Sequence, residues 1–335
     1  MITIPVASLN ASYIFALEYY LMTEKKFTDP IFMIWSTKPT VMLGKYQDVS
    51  TEVDLTYIQN HDIQLVRRCS GGGTIYTDNG CCQFSLVQPT NKKIIDFSDG
   101  IHIIATALKE TGFHITPDSR NDLIDDVGFK VSGNAQYLLN DYRLHHGSLL
   151  FDPDQVFMNN ALRSDPVKLK AKGISSTRQR TGNLKRQQPT WSPSKFKKEL
   201  NAAVLNNVPH KIYHLCSKDK ERINDIAEQR FCSGNLLSSS EKLSFLKKRY
   251  IKGAGLVQLK FEVKENKLRH VRINGDFFSE LDPQKFSNIL DGTPFTPSAI
   301  HQIIEKALQP TPIVGITAGE LVDLIFKKNC PHTRH

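Results

Sequence analysis

Apolar positions change period several times along this chain. After Asn10, the residues Tyr13, Ile14, Leu17, Tyr20 and Leu21 fall toward one side of a helix. The unbroken apolar run Ile31–Trp35 then predicts a buried strand. Ile63, Leu65, the residues around Ile75 and the run 84–87 predict strands on either side of a glycine-rich turn, and a helix follows over residues 99–110. Leu123 and Ile124, then residues 129–131, flank Asp125, Asp126, Val127 and Gly128 in the pattern of a hairpin, and residues 147–151 read as a further strand. Helices and strands interleave, so the first part of the chain is an α+β sheet domain.

The pattern breaks at residues 232–240, a stretch rich in serine and glycine that contains Asn235 and precedes the basic run 247–249. A linker is placed there. Beyond it Val257, Leu259, Phe261 and Val263 alternate on one face, the chain reverses over residues 264–267, and Leu268, Val271 and Ile273 continue the pair. Two helices close this unit. One spans Pro297–Leu308, and the other starts at Thr317, where Thr317 and Glu320 have the spacing of a capping box. The expected division is a first domain over residues 1–245 and a small α+β accessory domain over 251–335. A length of 335 residues suits two domains.

With 40% hydrophobic and 23% charged residues the chain has ordinary globular usage, which excludes disorder on the scale of the whole chain. The first 21 residues lack a basic n-region, and Asn10, Ser12 and Glu18 interrupt their apolar positions. Neither a signal peptide nor a membrane span fits, so a cytoplasmic protein is expected. Cys69, Cys81, Cys82, Cys216, Cys232 and Cys330 are too sparse for a disulfide scaffold and lack paired CxxC spacing, so reduced thiols are expected. The net charge of +9 is local: residues 163–198 hold eleven basic side chains against Asp165 alone, and the rest of the chain is nearly neutral. A stripe this confined points to a polyanionic ligand or an acidic partner more than to nucleic acid, with a solvated loop as the bland alternative.

Three runs carry candidate chemistry. The first is residues 67–78, RRCSGGGTIYTD, in which three glycines after a strand let the backbone approach a ligand and two arginines supply charge for a carboxylate or phosphate. Alone it is a weak motif, since it matches neither the dinucleotide fingerprint nor the phosphate loop that ends in Gly-Lys-Ser/Thr. The second run combines Asn121 and Asp122 with Lys130, Gly133 and the pair His145 and His146. A lysine beside a Ser-Gly turn can neutralise an anion at a fixed point, while Asn121 and Asp122 suit a ribose or, for Asp122, a Mg²⁺. The third, KAKGISSTRQRTGNL at residues 170–184, is basic and hydroxyl-rich, as a mobile loop over a nucleotide would be.

In order and spacing these runs resemble the lipoate-protein ligase A family. RRCSGGGTIYTD resembles its RRxSGGGAVYHD segment, SRNDL and KVSGNAQ its RNDL and KxSGxA segments, HHGSLL its HHGTLL, and residues 170–184 its adenylate-binding loop. GKYQDVSTEVD resembles its GxxQNxxxEV segment, and residues 253–278 resemble its small C-terminal domain. The resemblance implies a mixed-sheet catalytic domain of the biotin and lipoyl ligase type followed by an accessory domain. It places the essential lysine at Lys130. Arg68, Ser70, Gly71, Gly72, Gly73, Thr74, Ile75, Tyr76, Asn121, Asp122, Gly133 and His146 become the contacts to lipoate and ATP. Gly173, Ser176 and Arg178 would lie in the loop over the nucleotide.

The implied activity is ATP-dependent ligation with Mg²⁺: lipoate is activated as lipoyl-AMP, then transferred to a lysine of an acceptor, either an E2 domain or a glycine-cleavage H-type protein. Neither nucleic acid nor a membrane is an expected partner. Thr74 and Thr77 replace the family's alanine and histidine, Gly80-Cys81-Cys82-Gln83 replaces a Gly-Asn-x-Asn run, and the aromatic stretch expected near 233–240 is missing. These departures bear on acceptor choice and on preference between lipoate and octanoate. The enzymatic alternative is an ATP-independent octanoyl or lipoyl transferase that works through an acyl-cysteine at Cys81 or Cys82. A catalytically idle binding protein is the alternative from another class, and biotin ligation lacks its glycine-arginine-glycine signature here.

Overall fold

The computed structural model describes residues 1–327 apart from 93, 119–120, 164, 172–180, 207 and 233–242. Eleven strands occupy the first part of the chain: β1 (Ile2–Thr3), β2 (Ile31–Trp35), β3 (Thr40–Leu43), β4 (Gln64–Arg67), β5 (Ile75–Thr77), β6 (Cys82–Pro89), β7 (Ile115–Pro117), β8 (Asp122–Asp125), β9 (Lys130–Leu139), β10 (Tyr142–Leu149) and β11 (Lys211–Ile212). Eight of them form a mixed sheet in the order β11-β1-β2-β6-β10-β9-β8-β7, parallel between β11, β1 and β2 and antiparallel elsewhere. The other three make a small sheet, β4-β3-β5.

β2 reads as continuously apolar because both of its faces are covered. Ile31, Met33 and Trp35 join the core under the helices Ala11–Tyr20 and Ser217–Arg230, while Phe32 packs with Phe84 beneath Ser98–Glu110 and Pro193–Asn206. The first helix starts where the Asn10 side chain accepts the Ser12 N–H at 2.9 Å, an N-cap that satisfies one orphan donor.

The second unit is a three-stranded antiparallel sheet, β12 (Phe245–Ile251), β13 (Gly255–Lys264) and β14 (Lys267–Gly275), under the helices Pro283–Leu290, Pro297–Leu308 and Ala318–Phe326. Thr317 and Glu320 form the capping box expected of them. The three-residue step from Leu268 to Val271, both buried, is a β-irregularity opposite 260–262, with His270 at φ +53. Strand β12 and the helix Pro283–Leu290 were not expected from the pattern. β12 is an edge strand, and lysines on an edge discourage pairing with another chain, so its Lys-Lys-Arg run imitates a linker. No helix among the described residues is long and apolar enough to cross a membrane.

The two units are joined through the turn after β3. Tyr46 belongs to the core of the second unit, stacked on Phe277 at 4.4 Å, with its hydroxyl against the carbonyls of Ser279 and Leu281, both at 2.8 Å. Glu280 lies beside it, accepting the Leu138 N–H at 2.8 Å and standing 3.9 Å from Lys45 Nζ. Burial pushes the Glu280 carboxyl up to about 7, and the Leu138 amide and Lys45 only partly oppose this. A carboxyl raised on folding contributes stability that is present in full below its unfolded value, near 4.5, and lost as pH rises through about 7. Thermal unfolding measured from about pH 5 to about pH 8 should therefore show a falling midpoint that Glu280→Gln flattens. Parallel profiles for the two proteins would refute this.

Candidate active site

The glycine run links β4 to β5, and the two arginines before it hold it in place. Arg67 Nη1 donates to the carbonyls of Gly44 at 2.8 Å and Gln47 at 2.6 Å. Arg68 is buried, and donates to the carbonyls of Met42, Gly71 and Gly73 at 3.1, 2.8 and 2.7 Å and through Nε to Ser70 Oγ at 3.0 Å. Desolvation lowers its pKa to about 10, so it remains a cation at neutral pH, yet no carboxylate pairs with it among the described residues. The arginines thus act as clamps on the loop, where sequence reasoning assigned them to a bound anion. Gly72 sits at φ +88, and a Cβ on Gly44 would lie 2.0 Å from the Gly72 carbonyl, so the close approach of these two turns requires glycine at both positions. Gln47 completes the brace, accepting from both the N–H and the hydroxyl of Thr74 at 3.1 Å.

A buried chain of polar groups continues from Arg68. Ser70 Oγ, which accepts from Arg68 Nε, stands 2.7 Å from His146 Nε2, and His146 Nδ1 faces the Glu18 carboxylate at 3.1 Å. Ser85 also donates to Glu18, at 2.6 Å. Each member of this chain is satisfied, as low-dielectric burial demands.

Lys130 opens β9 with its ammonium 2.8 Å from Asp122 Oδ1 on the neighbouring β8. Asn121 and Asn134 cross-brace the same strands, each side-chain amide donating to the other residue's carbonyl at 2.6 and 2.8 Å. A Cβ on Gly133 would stand 2.8 Å from Lys130 Nζ, so this glycine leaves room for the ammonium. Gly182, at the end of the basic segment, donates its N–H to the Lys130 carbonyl at 2.8 Å.

These elements enclose a cavity of about 480 Å³. Arg68, Gly72, Gly73, Thr74, Ile75, Tyr76, Asn121, Asp122, Lys130, Gly133 and His146 line it, whereas Ser70 and Gly71 stand behind the wall, Ser70 wholly buried and Gly71 against the Phe277 backbone. Gly173, Ser176 and Arg178 fall outside the described residues. Sequence reasoning missed Phe15, Trp35, Met42 and Ala135 on the wall and Tyr250, Lys252, Asp276 and Phe278 from the second unit. The cavity grades from polar to apolar. Gly133 adjoins Lys130, Ala135 lies two residues further along β9 opposite His146, and Phe15 lies 6.1 Å from both the His146 and Trp35 rings. Two strand residues span roughly 7 Å, which sets the Lys130 ammonium apart from the Phe15 and Trp35 rings along the wall.

Cys81 and Cys82 line none of this. Both are buried, and desolvation pushes the Cys82 thiol up to about 12 and the Cys81 thiol still higher. Thiols held protonated cannot supply the thiolate that an acyl-cysteine needs. Asp122 is committed to Lys130, and no cluster of three potential metal ligands stands among the described residues.

Residues 10–205 match the lipoyl protein ligase A/B catalytic domain family, and residues 240–325 match the bacterial lipoate protein ligase C-terminus. The lipoate-protein ligase 1 of Staphylococcus aureus is 31% identical over 283 residues, covering 83% of this chain and 85% of its own. Among solved structures, P. falciparum LipL1 in complex with lipoate superposes with a TM-score of 0.76 at 19% identity, over 91% of this chain and 94% of that one. A lipoate-protein ligase A bound with ATP gives 0.57 at 19% identity, over 68% and 94%. These two likenesses concern the fold. Set beside the match to both family regions and the identity to the staphylococcal protein, they leave one assignment: this chain belongs to the lipoate-protein ligase family.

Proposed function

We propose that the protein ligates lipoate to acceptor proteins at the expense of ATP, with the graded cavity as its active site. The observation that carries this is the single space with a fixed ammonium, Lys130, at one end and Phe15 and Trp35 at the other, the shape of a medium-chain acid. The named relatives support the activity, and lipoate and ATP are the substrates.

In the first step a lipoate carboxylate oxygen bonds to the α-phosphorus of ATP and the bond to pyrophosphate breaks, giving lipoyl-AMP. Lys130 sits between the two anions, and Arg68 adds a buried positive field beneath the clamped glycine loop. In the second step the amine of an acceptor lysine attacks the acyl carbon and AMP departs. Mg²⁺ is best read as arriving with the nucleotide's phosphates and waters, because Asp122 already serves Lys130. The acceptor is a lipoyl domain of the E2 or H type, and the site of action is the cytoplasm.

Incubation with lipoate, ATP, Mg²⁺ and a panel of acceptor domains, scored by intact mass, tests the reading. Omitting ATP should abolish the adduct. The Cys81→Ser/Cys82→Ser variant should ligate within about twofold of the wild type per folded molecule, since neither thiol lines the cavity, while two newly buried hydroxyls should lower its melting temperature. A covalent acyl-enzyme in the wild type, absent from the variant, would restore the transferase mechanism.

A further inference from the structure

Among the described residues four cationic side chains line the cavity, and three are engaged within the protein: Arg68 with main-chain carbonyls, Lys130 with Asp122, and Arg163 with Asp54 at 3.2 Å. The fourth, Lys252, comes from the accessory unit and makes no ion pair or hydrogen bond among the described residues. The acidic groups on the wall are engaged as well. Asp165 pairs with Lys248 at 2.9 Å, Asp276 accepts the Leu256 N–H at 2.6 Å, Asp118 accepts the Asp122 N–H at 2.9 Å, and Glu52 also has a partner. A cavity whose carboxylates, among the described residues, are satisfied but which keeps an uncommitted ammonium there at its exposed rim is prepared for an anion brought by a ligand.

The position of Lys252 is built rather than incidental. Lys248 and Tyr250 share one face of β12 by the two-residue strand period, and Lys252 follows in the turn closed by the Ala254 N–H donating to Ile251 at 3.1 Å. Gly253 supplies the positive φ of +85 that this turn needs, and Ala254 is sealed in the accessory core. The face is also a docking face. Lys248 holds Asp165, which directly precedes the helix Pro166–Ala171 leading into residues 172–180. A solvated turn lysine would explain exposure alone, but not a fixed turn on the strand that anchors this segment.

We propose that Lys252 is a nucleotide-binding residue contributed by the accessory unit, its ammonium meeting a β- or γ-phosphate oxygen of ATP when the two units are docked. This rests on the reading of the cavity as the adenylation site. The α-phosphate belongs to Lys130, and the acyl chain to the apolar end. The mouth, where the accessory unit closes, is left for the part of ATP that departs as pyrophosphate. ATP thereby favours the docked arrangement, and loss of pyrophosphate removes one tie between the units.

The test is the steady-state rate of pyrophosphate release with lipoate, measured against ATP for the wild type and for Lys252→Ala, Lys252→Glu and Lys252→Arg. The alanine variant should raise KM for ATP about tenfold at low ionic strength with kcat little changed, the size expected of one charge-assisted contact. The glutamate variant should raise it further, arginine should recover most of the loss, and added salt should narrow every difference. KM for lipoate and transfer from chemically made lipoyl-AMP, which lacks the β- and γ-phosphates, should stay at wild-type values. Unchanged KM for ATP in both the alanine and glutamate variants would overturn the proposal, as would an equal loss in transfer from lipoyl-AMP. A wild-type protein that forms no lipoyl-AMP would instead sink the reading of the cavity itself.

Discussion

Lys130→Ala is expected to slow lipoyl-AMP formation roughly 100- to 1,000-fold, the usual loss when one preorganised charge-stabilising donor is removed. The cause is electrostatic. The lipoate carboxylate and the α-phosphate must reach bonding distance although both are anions, and the Lys130 ammonium is the cation fixed at that end of the cavity by its 2.8 Å contact with Asp122. The same contact creates a structural consequence, because truncation leaves the nearly buried Asp122 carboxylate without its ammonium. An unpaired buried charge destabilises, so the single variant should melt lower than the wild type. Lys130→Ala/Asp122→Asn removes both charges and should recover stability without recovering rate. Arginine should not substitute, since a planar fork cannot sit where Gly133 leaves space for a compact ammonium. Chemically made lipoyl-AMP should partly restore transfer in the alanine variant, because that substrate bypasses the meeting of the two anions. Wild-type production of lipoyl-AMP by Lys130→Ala would show that the reacting centre lies elsewhere.

What the sequence disclosed of this site follows from how far apart the interacting residues lie. The glycine run, Lys130 with Gly133, and the Asn121–Asp122 pair are each local in the chain, and their residue types already limit what they can do. The destinations of the arginines were hidden, because Arg68 bonds to the carbonyl of Met42, 26 positions earlier, and main-chain acceptors leave no mark on residue identity. His146 was legible as a pocket residue, but its partner Glu18 is 128 positions away on a helix whose periodicity gave no reason to single out a buried carboxylate. The apolar end was legible only as core. Trp35 and Phe15 have the pattern of residues that fill a sheet–helix interface, and that interface is where the cavity opens. In the accessory unit the alternation from Val257 onward identified the inner strands, while the charge of the edge strand β12 concealed an element whose end reaches the cavity wall.

Tyr46→Ala should have the largest effect on how the two units work together. We propose that the first domain and the accessory domain, which takes in β12 and so begins at Phe245 rather than at 251, are distinct units whose docking completes the adenylation site, and Tyr46 is the side chain through which the first enters the core of the second. It is 1% exposed, stacks on Phe277 with an interplanar angle of 24°, and directs its hydroxyl at the carbonyls of Ser279 and Leu281. Its neighbour Gln47 donates to the Gly275 carbonyl at 2.7 Å while accepting from Thr74, so the same turn ties the accessory unit to the glycine loop. The Gly72 N–H adds a bond to Phe277 at 3.3 Å. Truncating a buried aromatic costs about 3–5 kcal/mol, and here the loss falls on the junction as well as on the accessory core. The variant should retain its secondary structure by circular dichroism, yet be cleaved faster by protease between the units. Lipoyl-AMP formation should fall by more than transfer from supplied lipoyl-AMP, since Lys252, Tyr250 and Phe278 leave the cavity wall when the units part. Tyr46→Phe keeps the stack and loses only the hydroxyl, so it should cost about 1 kcal/mol and leave both half-reactions near the wild type. Equal rates in both half-reactions for Tyr46→Ala, together with an unchanged protease pattern, would mean that the junction is not what holds the adenylation site together.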